Sequence, residues 1–212
     1  MMQTTAWGGP AASGAIPSDD LGIAAVSPLE AVAAALGVIN IVLLIRRSIW
    51  NYAFGLAMVI LYAPVFFEQR LYSDALLQLF FVAVQLYGWW AWRRSAGRMG
   101  DILVERLDWR GRMLWTLVGA LAWLAWSSGM RHFTDAVNPY WDGAVAAMSV
   151  TAQALQAKRL IETWPLWVAV DLVAIPLYWS RDLKVTTLLY VLFLLMSLWG
   201  WRAWLRAERA TT

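Results

Sequence analysis

Polar and aromatic side chains recur at helical spacing inside the apolar stretches of this chain. Gln85 and Trp89 lie four residues apart, and Trp164, Trp167 and Asp171 follow spacings of three and four, so each set shares one helix face. Amides bind hydroxyl groups, and flat rings stack on heteroaromatic ligands and attract cations. These faces predict a binding site for a small polar ligand. The candidate binding residues are Trp50, Asn51, Gln85, Trp89, Gln153, Trp164, Trp167, Asp171 and Tyr178.

The same residues have a purely structural interpretation. Amides at membrane depth also bond neighbouring helices, which contributes on the order of 1 kcal/mol each. An ionised carboxylate is costlier to bury than an amide, which favours a functional role for Asp171. Pro64 and Pro176 are candidate gating hinges, and a simple bend in a packed helix is the alternative.

The composition excludes most catalytic chemistry. The chain has no Cys and one His, so we expect no metal site, no catalytic residue and no cofactor. Its two lysines, Lys158 and Lys184, lie between apolar stretches, which argues against a retinal-binding receptor. No cluster typical of an intramembrane enzyme is visible. We therefore predict that the protein is not an enzyme, and we expect no nucleic-acid partner.

Apolar residues make up 61% of the 212 positions, and the charges lie between long apolar runs, as in integral membrane proteins. A helix needs about 20 mostly apolar residues to cross a bilayer, and about 17 can suffice. Seven stretches qualify, so we predict an all-α protein with seven transmembrane helices. They cover residues 28–45, 49–67, 72–92, 113–130, 141–157, 164–179 and 185–205. Residues 1–27 carry no Lys or Arg and predict a mobile tail rather than a signal peptide.

The basic residues predict the orientation. When the loops are assigned alternately to two sides, 13 of the 17 Lys and Arg fall on one side and Arg70, Arg131, Arg181 and Lys184 on the other. Positive-inside bias places the side with 13 in the cytoplasm. The N-terminus is then outside and the C-terminus is cytoplasmic. We place His132 in an outer loop beside Arg131.

The sequence also repeats itself at one constant offset. GWWAWRR from Gly88 aligns with GWRAWLR from Gly200, and the same displacement, which we call the repeat offset, aligns Pro64 with Pro176 and Arg46-Arg47 with Lys158-Arg159. The repeat predicts two parallel three-helix units joined by a linker helix, a 3+1+3 arrangement also seen in SWEET-type transporters. The predicted divisions are a tail at 1–27, a first unit at 28–94, a connecting region at 95–139, a second unit at 140–206 and a tail at 207–212.

Four stretches resemble the PnuC-type vitamin transporters. They are WNYAFG from Trp50, QLYGWWAW from Gln85, YWD from Tyr140 and KRLIETWPLWVAVD from Lys158. The resemblance covers residues 30–204. It departs at Asp171, where the family carries an Asn, and this departure leaves the vitamin open.

This resemblance implies a SWEET-like fold in homotrimers in the bacterial inner membrane, with the lipid bilayer as surroundings. It implies facilitated diffusion of a phosphate-free vitamin precursor, foremost nicotinamide riboside, which a cytoplasmic kinase then traps for NAD biosynthesis. Thiamine and riboflavin are the alternatives within the family. A SWEET-type sugar transporter is a more distant alternative, because a fold alone does not define a function.

Overall fold

The computed structural model describes residues 28–68, 72–95, 102–133, 139–180 and 184–210. Within these ranges the chain forms seven α-helices and no strand. The helices are α1 (Pro28–Ile45), α2 (Asn51–Glu68), α3 (Tyr72–Ser95), α4 (Trp109–Phe133), α5 (Pro139–Ala157), α6 (Thr163–Ser180) and α7 (Lys184–Arg209). The predicted all-helical class and the seven helices are confirmed.

The two largest differences from the predicted bounds are at the end of α7, which extends to Arg209, and at the start of α4. This helix begins at Trp109 rather than at residue 113, because Asp108 caps it: the Gly111 N–H donates to Asp108 Oδ1 at 2.7 Å. Arg110 and Arg112 therefore lie in the first helical turn, not in a loop. At the other end, Arg131 and His132 belong to the last turn of α4, so the loop position predicted for His132 is wrong.

Two helices within the described ranges are long and apolar enough to cross a membrane by length and composition. They are Trp109–Phe133 and Thr187–Arg209. Apolar segments of 10 to 17 residues occur at Ala35–Ile45 and Asn51–Leu61. The tail at 1–27, Arg70 and Arg181 lie outside the described residues.

The helices pack in two groups. Helix α2 contacts α1 and α3, helix α6 contacts α5 and α7, and the groups meet where α3 contacts α5 and α1 contacts α7. Among the described helices, α4 contacts α5 alone. The approach is close there, because a Cβ added at Gly143 would overlap the Ser127 hydroxyl. Helix α4 therefore lies at the side of the bundle.

Several local features recur at the repeat offset. Arg47 and Arg159, which follow α1 and α5, have positive φ values of 57° and 62°. The left-handed conformation is unusual for a residue with a Cβ and lets each helix end in a tight turn. The N–H of the next residue in each case reaches back to a helical carbonyl, from Ser48 to Leu43 at 2.8 Å and from Leu160 to Leu155 at 3.0 Å.

Residues 102–108 cross one end of the bundle, which we call the linker end. Arg47 donates to the carbonyl of Ile102 at 3.1 Å. Glu105 forms backbone hydrogen bonds with Arg159 and Ile161, at 3.0 and 2.9 Å, and its carboxylate pairs with the Arg159 guanidinium. The segment is thus bonded to the turns that follow both α1 and α5. Sequence patterns do not predict this crossing, since the bonds are mostly to backbone.

Candidate functional site

Four fully buried aromatic rings close the linker end, and we call them the aromatic floor: Tyr52, Trp92, Trp164 and Trp204. Tyr52 packs edge to face on Trp92, with 5.1 Å between the ring centroids. Trp164 packs in the same way on Trp204, with 5.5 Å between the centroids. The two pairs are in contact through Trp92 and Trp204, whose ring centroids lie 6.1 Å apart. Edge-to-face contacts of this kind stabilise a packed layer by about 0.5 to 1.5 kcal/mol each beyond burial.

Hydrogen bonds of the floor cross between the two helix groups. The Trp92 indole N–H donates to the carbonyl of Gln156, and the Trp204 indole N–H donates to the carbonyl of Leu44, both at 3.2 Å. The two donors are one repeat offset apart, and so are the two acceptors. Each indole therefore binds the end of a helix in the opposite group.

Two glycines let the rings of the floor approach the helices closely. A Cβ added at Gly88 would overlap the ring of Tyr52, and one added at Gly200 would overlap the ring of Trp164. On α3 the residue one turn before Gly88 is Gln85, and on α7 the residue one turn before Gly200 is Ser197. Each ring thus lies within a turn of a buried polar side chain.

We call the buried side chains Asn40, Gln85, Gln153, Asp171 and Ser197 the polar belt. The amides of Asn40 and Gln85 meet beside Gly55, since a Cβ there would overlap both. Helices α1 and α3 therefore bring their amides together across the glycine of α2. Because Gly55 contributes no side chain at this point, the amides have room to meet.

Asp171 and Ser197 form the corresponding contact between α6 and α7. The Ser197 hydroxyl donates to Asp171 Oδ2 at 3.1 Å, and both side chains are buried. Gln85, Asp171 and Ser197 each lie seven residues from a floor ring on the same helix, about 10 Å by helical rise. The polar belt and the floor are therefore successive levels of the bundle interior.

Between these levels lie Gln156 and Trp167. The Trp167 indole N–H lies 3.4 Å from Gln156 Oε1, a long hydrogen bond at the edge of the usual range. Trp167 is partly buried and stands one turn before Asp171 on α6. Its indole ring is thus placed one helical turn from the carboxylate.

Some buried polar atoms have no hydrogen-bond partner in the described part of the chain. Among them are Gln85 Oε1, the Tyr52 hydroxyl and Trp164 Nε1. An unpaired buried polar atom costs about 1 to 3 kcal/mol, so native structures supply a partner. A water or a ligand hydroxyl that reached these atoms would supply it.

The structure separates the remaining candidates from this interior or gives them another contact. Trp50 is 62% exposed. Asn51 is fully buried, but its amide nitrogen donates to the Ser48 carbonyl at 2.7 Å, beside the start of α2. Trp89 packs against the buried residues that include the aromatic floor. The ring centroids of Tyr178 and Tyr190 lie 4.9 Å apart. Pro176 lies inside α6, whereas the side chain of Pro64 in α2 is outside the described part.

Ser197, Tyr52 and Gly55 are site residues that sequence reasoning missed. A signal for two of them was present: at the repeat offset, Ser197 aligns with Gln85 and Tyr52 with Trp164. Transferring each candidate across the repeat would have found them. Gly55 gave no signal, because its contribution is the absence of a side chain.

This arrangement suits recognition rather than bond chemistry. Asp171 is the charged side chain among the buried residues of the described chain, and the other members of the belt are amides and a hydroxyl. The described residues contain no cluster of three or more His, Cys, Asp or Glu that could hold a metal. The interior can offer an anion, hydrogen-bond partners for hydroxyls and aromatic faces to a ligand.

Comparisons with known proteins place the chain in a transporter family. A family model described as nicotinamide mononucleotide transporter matches residues 27–206. The chain is 26% identical over 209 residues to the nicotinamide riboside transporter PnuC of Escherichia coli, covering 87% of both chains. It is 31% identical over 191 residues to the PnuC of Neisseria mucosa, covering 83% of this chain and 71% of that one.

The riboflavin/roseoflavin transporter RibM of Streptomyces davaonensis is 29% identical over 179 residues, covering 82% of this chain and 83% of that one. A solved structure, the crystal structure of the vitamin B3 transporter PnuC, is similar with a TM-score of 0.75 and 28% identity. The similarity covers 91% of this chain and 87% of that chain. These relatives and the solved structure are described as transporters.

Proposed function

Because the chain belongs to the nicotinamide mononucleotide transporter family, we propose that it carries nicotinamide riboside across the bacterial inner membrane by facilitated diffusion. Nicotinamide riboside is a cationic pyridinium that carries a ribose. The observation that supports this substrate most is the burial of Asp171 beside Trp167, with the amides of Asn40 and Gln85 at the same level of the interior.

Charge favours the riboside over the mononucleotide of the family's description. No Lys or Arg is buried among the described residues, whereas Asp171 is. A phosphate near Asp171 would be repelled by roughly 3 kcal/mol per unit charge at ~6 Å and an effective dielectric constant of about 20. A cationic ring would be attracted by the carboxylate and by the faces of neighbouring indoles. The substrate is therefore a phosphate-free cation, trapped inside by a cytoplasmic kinase.

Thiamine and riboflavin are the alternatives within the family. Thiamine shares the cationic heteroaromatic ring, and riboflavin is the substrate named for the relative RibM. Riboflavin is uncharged, so Asp171 would act towards it only as a hydrogen-bond acceptor. A sugar lacks the aromatic ring for which the indoles are suited, which makes a SWEET-type sugar transporter the most distant candidate.

The proposed architecture is SWEET-like, with all seven helices spanning the membrane as two parallel three-helix units and α4 as the linker. The crossed indole bonds of Trp92 and Trp204 support it, as do the paired left-handed residues Arg47 and Arg159. Contacts and backbone conformations that recur at one offset are expected of two units related by an axis along the membrane normal.

Transport then proceeds by alternating access. With the basic linker end in the cytoplasm and the N-terminus outside, the aromatic floor closes the cytoplasmic side of the site. Release requires the two Trp indoles to leave the carbonyls of the opposite unit. Pro64 and Pro176, at equivalent places in α2 and α6, are the hinges, and the functional assembly is a homotrimer.

Calorimetry on the purified protein tests the substrate and the site together. We expect binding of nicotinamide riboside and no binding of nicotinamide mononucleotide. Asp171→Asn keeps the shape and removes the charge, so the riboside should bind roughly thirtyfold more weakly. Trp167→Ala should cost about 1 to 3 kcal/mol of binding free energy if the ring stacks on the ligand.

Asp108→Asn is the matched control, because Asp108 is an exposed acid at the linker end and Asn also caps helices. It should bind like the parent. Tight binding of riboflavin that Asp171→Asn leaves unchanged would replace the cationic substrate with a neutral one. Unchanged riboside binding in folded Asp171→Asn and Trp167→Ala would show that the site is not on this face of α6.

A further inference from the structure

A cavity lies away from the aromatic floor and the polar belt. It is a groove of about 860 Å³ between α4 on one side and α5, α6 and α7 on the other. Since α4 contacts only α5 among the described helices, the groove stays open along its length. Its walls are mostly apolar and include Trp115, Ala120, Met148 and Leu166. None of the belt residues lines it.

The depth of the groove matches one leaflet of a bilayer. Along α4 its wall runs from Arg112 to Trp123, eleven residues or about 16 Å of rise. At the linker end it begins at Arg106 and Glu162. The hydrocarbon core is about 30 Å thick, so a leaflet contributes about 15 Å. An apolar groove of this length, open to the side, fits an acyl chain that enters from the adjoining leaflet.

The mouth of the groove carries excess positive charge. Residues 102–112, 158–162 and 202–209 contain eight Lys or Arg and four Asp or Glu, so cations outnumber anions two to one. Three of the cations are paired: Arg106 with Glu208, Arg112 with Glu162 and Arg159 with Glu105. The part of the groove that would hold an acyl chain is therefore apolar, and its mouth is cationic. This arrangement is complementary to an anionic phospholipid.

Lys158 is the cation placed to receive a headgroup. Its ammonium lies 5.7 Å from the ring centroid of Trp115, a residue that lines the groove. Lys158 is exposed and forms no salt bridge with a carboxylate in the described part of the chain. An ammonium over an indole at the membrane interface can bind a phosphate oxygen without giving up a protein partner.

We propose that the groove between α4 and α5–α7 is a specific binding site for one anionic phospholipid, with an acyl chain between the helices and the headgroup phosphate at Lys158. The lipid fills the space that the single-helix attachment of α4 leaves open. It thereby holds α4 against the second group of helices.

Native mass spectrometry and thermal unfolding of the delipidated protein test this site, with phosphatidylglycerol and phosphatidylcholine of identical chains as probes. We expect one bound phosphatidylglycerol per chain and a larger increase of Tm with phosphatidylglycerol than with phosphatidylcholine. Lys158→Gln should weaken phosphatidylglycerol about fivefold and leave phosphatidylcholine unchanged. Inorganic phosphate at the same concentration should not raise Tm, since the acyl chains of the lipid supply most of the affinity.

Ala120→Phe is designed to fill the groove. Ala120 is exposed and lines it, so the added ring replaces acyl methylenes without disturbing the core. Both lipids should bind at least about tenfold more weakly, as expected when about two methylenes lose their burial. Leu121→Phe is the control, because Leu121 is 57% exposed and does not line the groove. Thr116→Phe, at another exposed lining position, serves if Ala120→Phe does not fold.

Three results would overturn the proposal. One is equal lipid binding by Ala120→Phe and Leu121→Phe. A second is unchanged preference for phosphatidylglycerol in Lys158→Gln. The third is a change in oligomeric mass on filling the groove with no change in bound lipid, which would assign the groove to contacts between copies of the chain.

Discussion

Gly200→Ala should destabilise the protein because the added methyl group has no space against the aromatic floor. Its Cβ would overlap the outer carbons of the Trp164 benzo ring. That ring cannot swing aside, since it is 1% exposed and is held edge to face by Trp204 at 5.5 Å. Overpacking of this kind costs about 1 to 3 kcal/mol.

Helix propensity works in the opposite direction and must be separated from the overlap. Ala is favoured over Gly inside a helix by about 1 kcal/mol. Gly129→Ala measures that gain alone, because a Cβ added at Gly129 in α4 meets nothing within 4 Å. Gly200→Ala should therefore be less stable than Gly129→Ala by the full overlap cost, about 1 to 3 kcal/mol.

A double-mutant cycle identifies the ring responsible. Trp164→Phe removes the outer carbons that the new methyl would meet, so Gly200→Ala should cost nothing further in that background. The coupling free energy should be about 1 to 3 kcal/mol in favour of the double variant. The free energies of unfolding of the parent, the two single variants and the double variant are measured by reversible detergent denaturation, with circular dichroism as the signal. Equal stability of Gly200→Ala and Gly129→Ala would show that Trp164 does not pack on α7 as described.

Three further predictions concern the helix cap, the energetics and the tail. Asp108→Ala should lower the free energy of unfolding by about 1 kcal/mol, because it removes the cap of α4. Asp108→Asn should retain most of the stability that the cap contributes. Equal thermal stability of the two variants would contradict the capping role. Uptake into sealed vesicles should stop at equal concentrations on both sides, since no chain of ionisable residues crosses the apolar stretches; accumulation driven by an imposed pH gradient would refute uncoupled transport. Deleting residues 1–22 should leave Tm and uptake intact, as their sequence lacks apolar periodicity, and a large fall in Tm would show that they dock on the bundle.

The sequence determined the helices and the residues that share a face. Long apolar runs separated by charges leave few alternatives to helices at membrane depth, because every backbone group must be bonded within its own segment. Helical spacing likewise put Trp164, Trp167 and Asp171 on one side of α6. Helix bounds are harder to predict where a polar residue caps a helix, as at Asp108, since the cap depends on local backbone geometry.

Tertiary structure decided what each face meets. Trp164 and Trp167 look equivalent in sequence, yet one is enclosed between Trp204 and Gly200 and the other reaches Gln156. The partner of Asp171 proved to be Ser197, 26 residues away. A helical period determines which residues point in one direction, but not which neighbouring helix lies there or how closely it approaches. Those depend on the rotation of each helix and on small residues such as Gly55, Gly88 and Gly200, whose effect appears only when the helices are packed together.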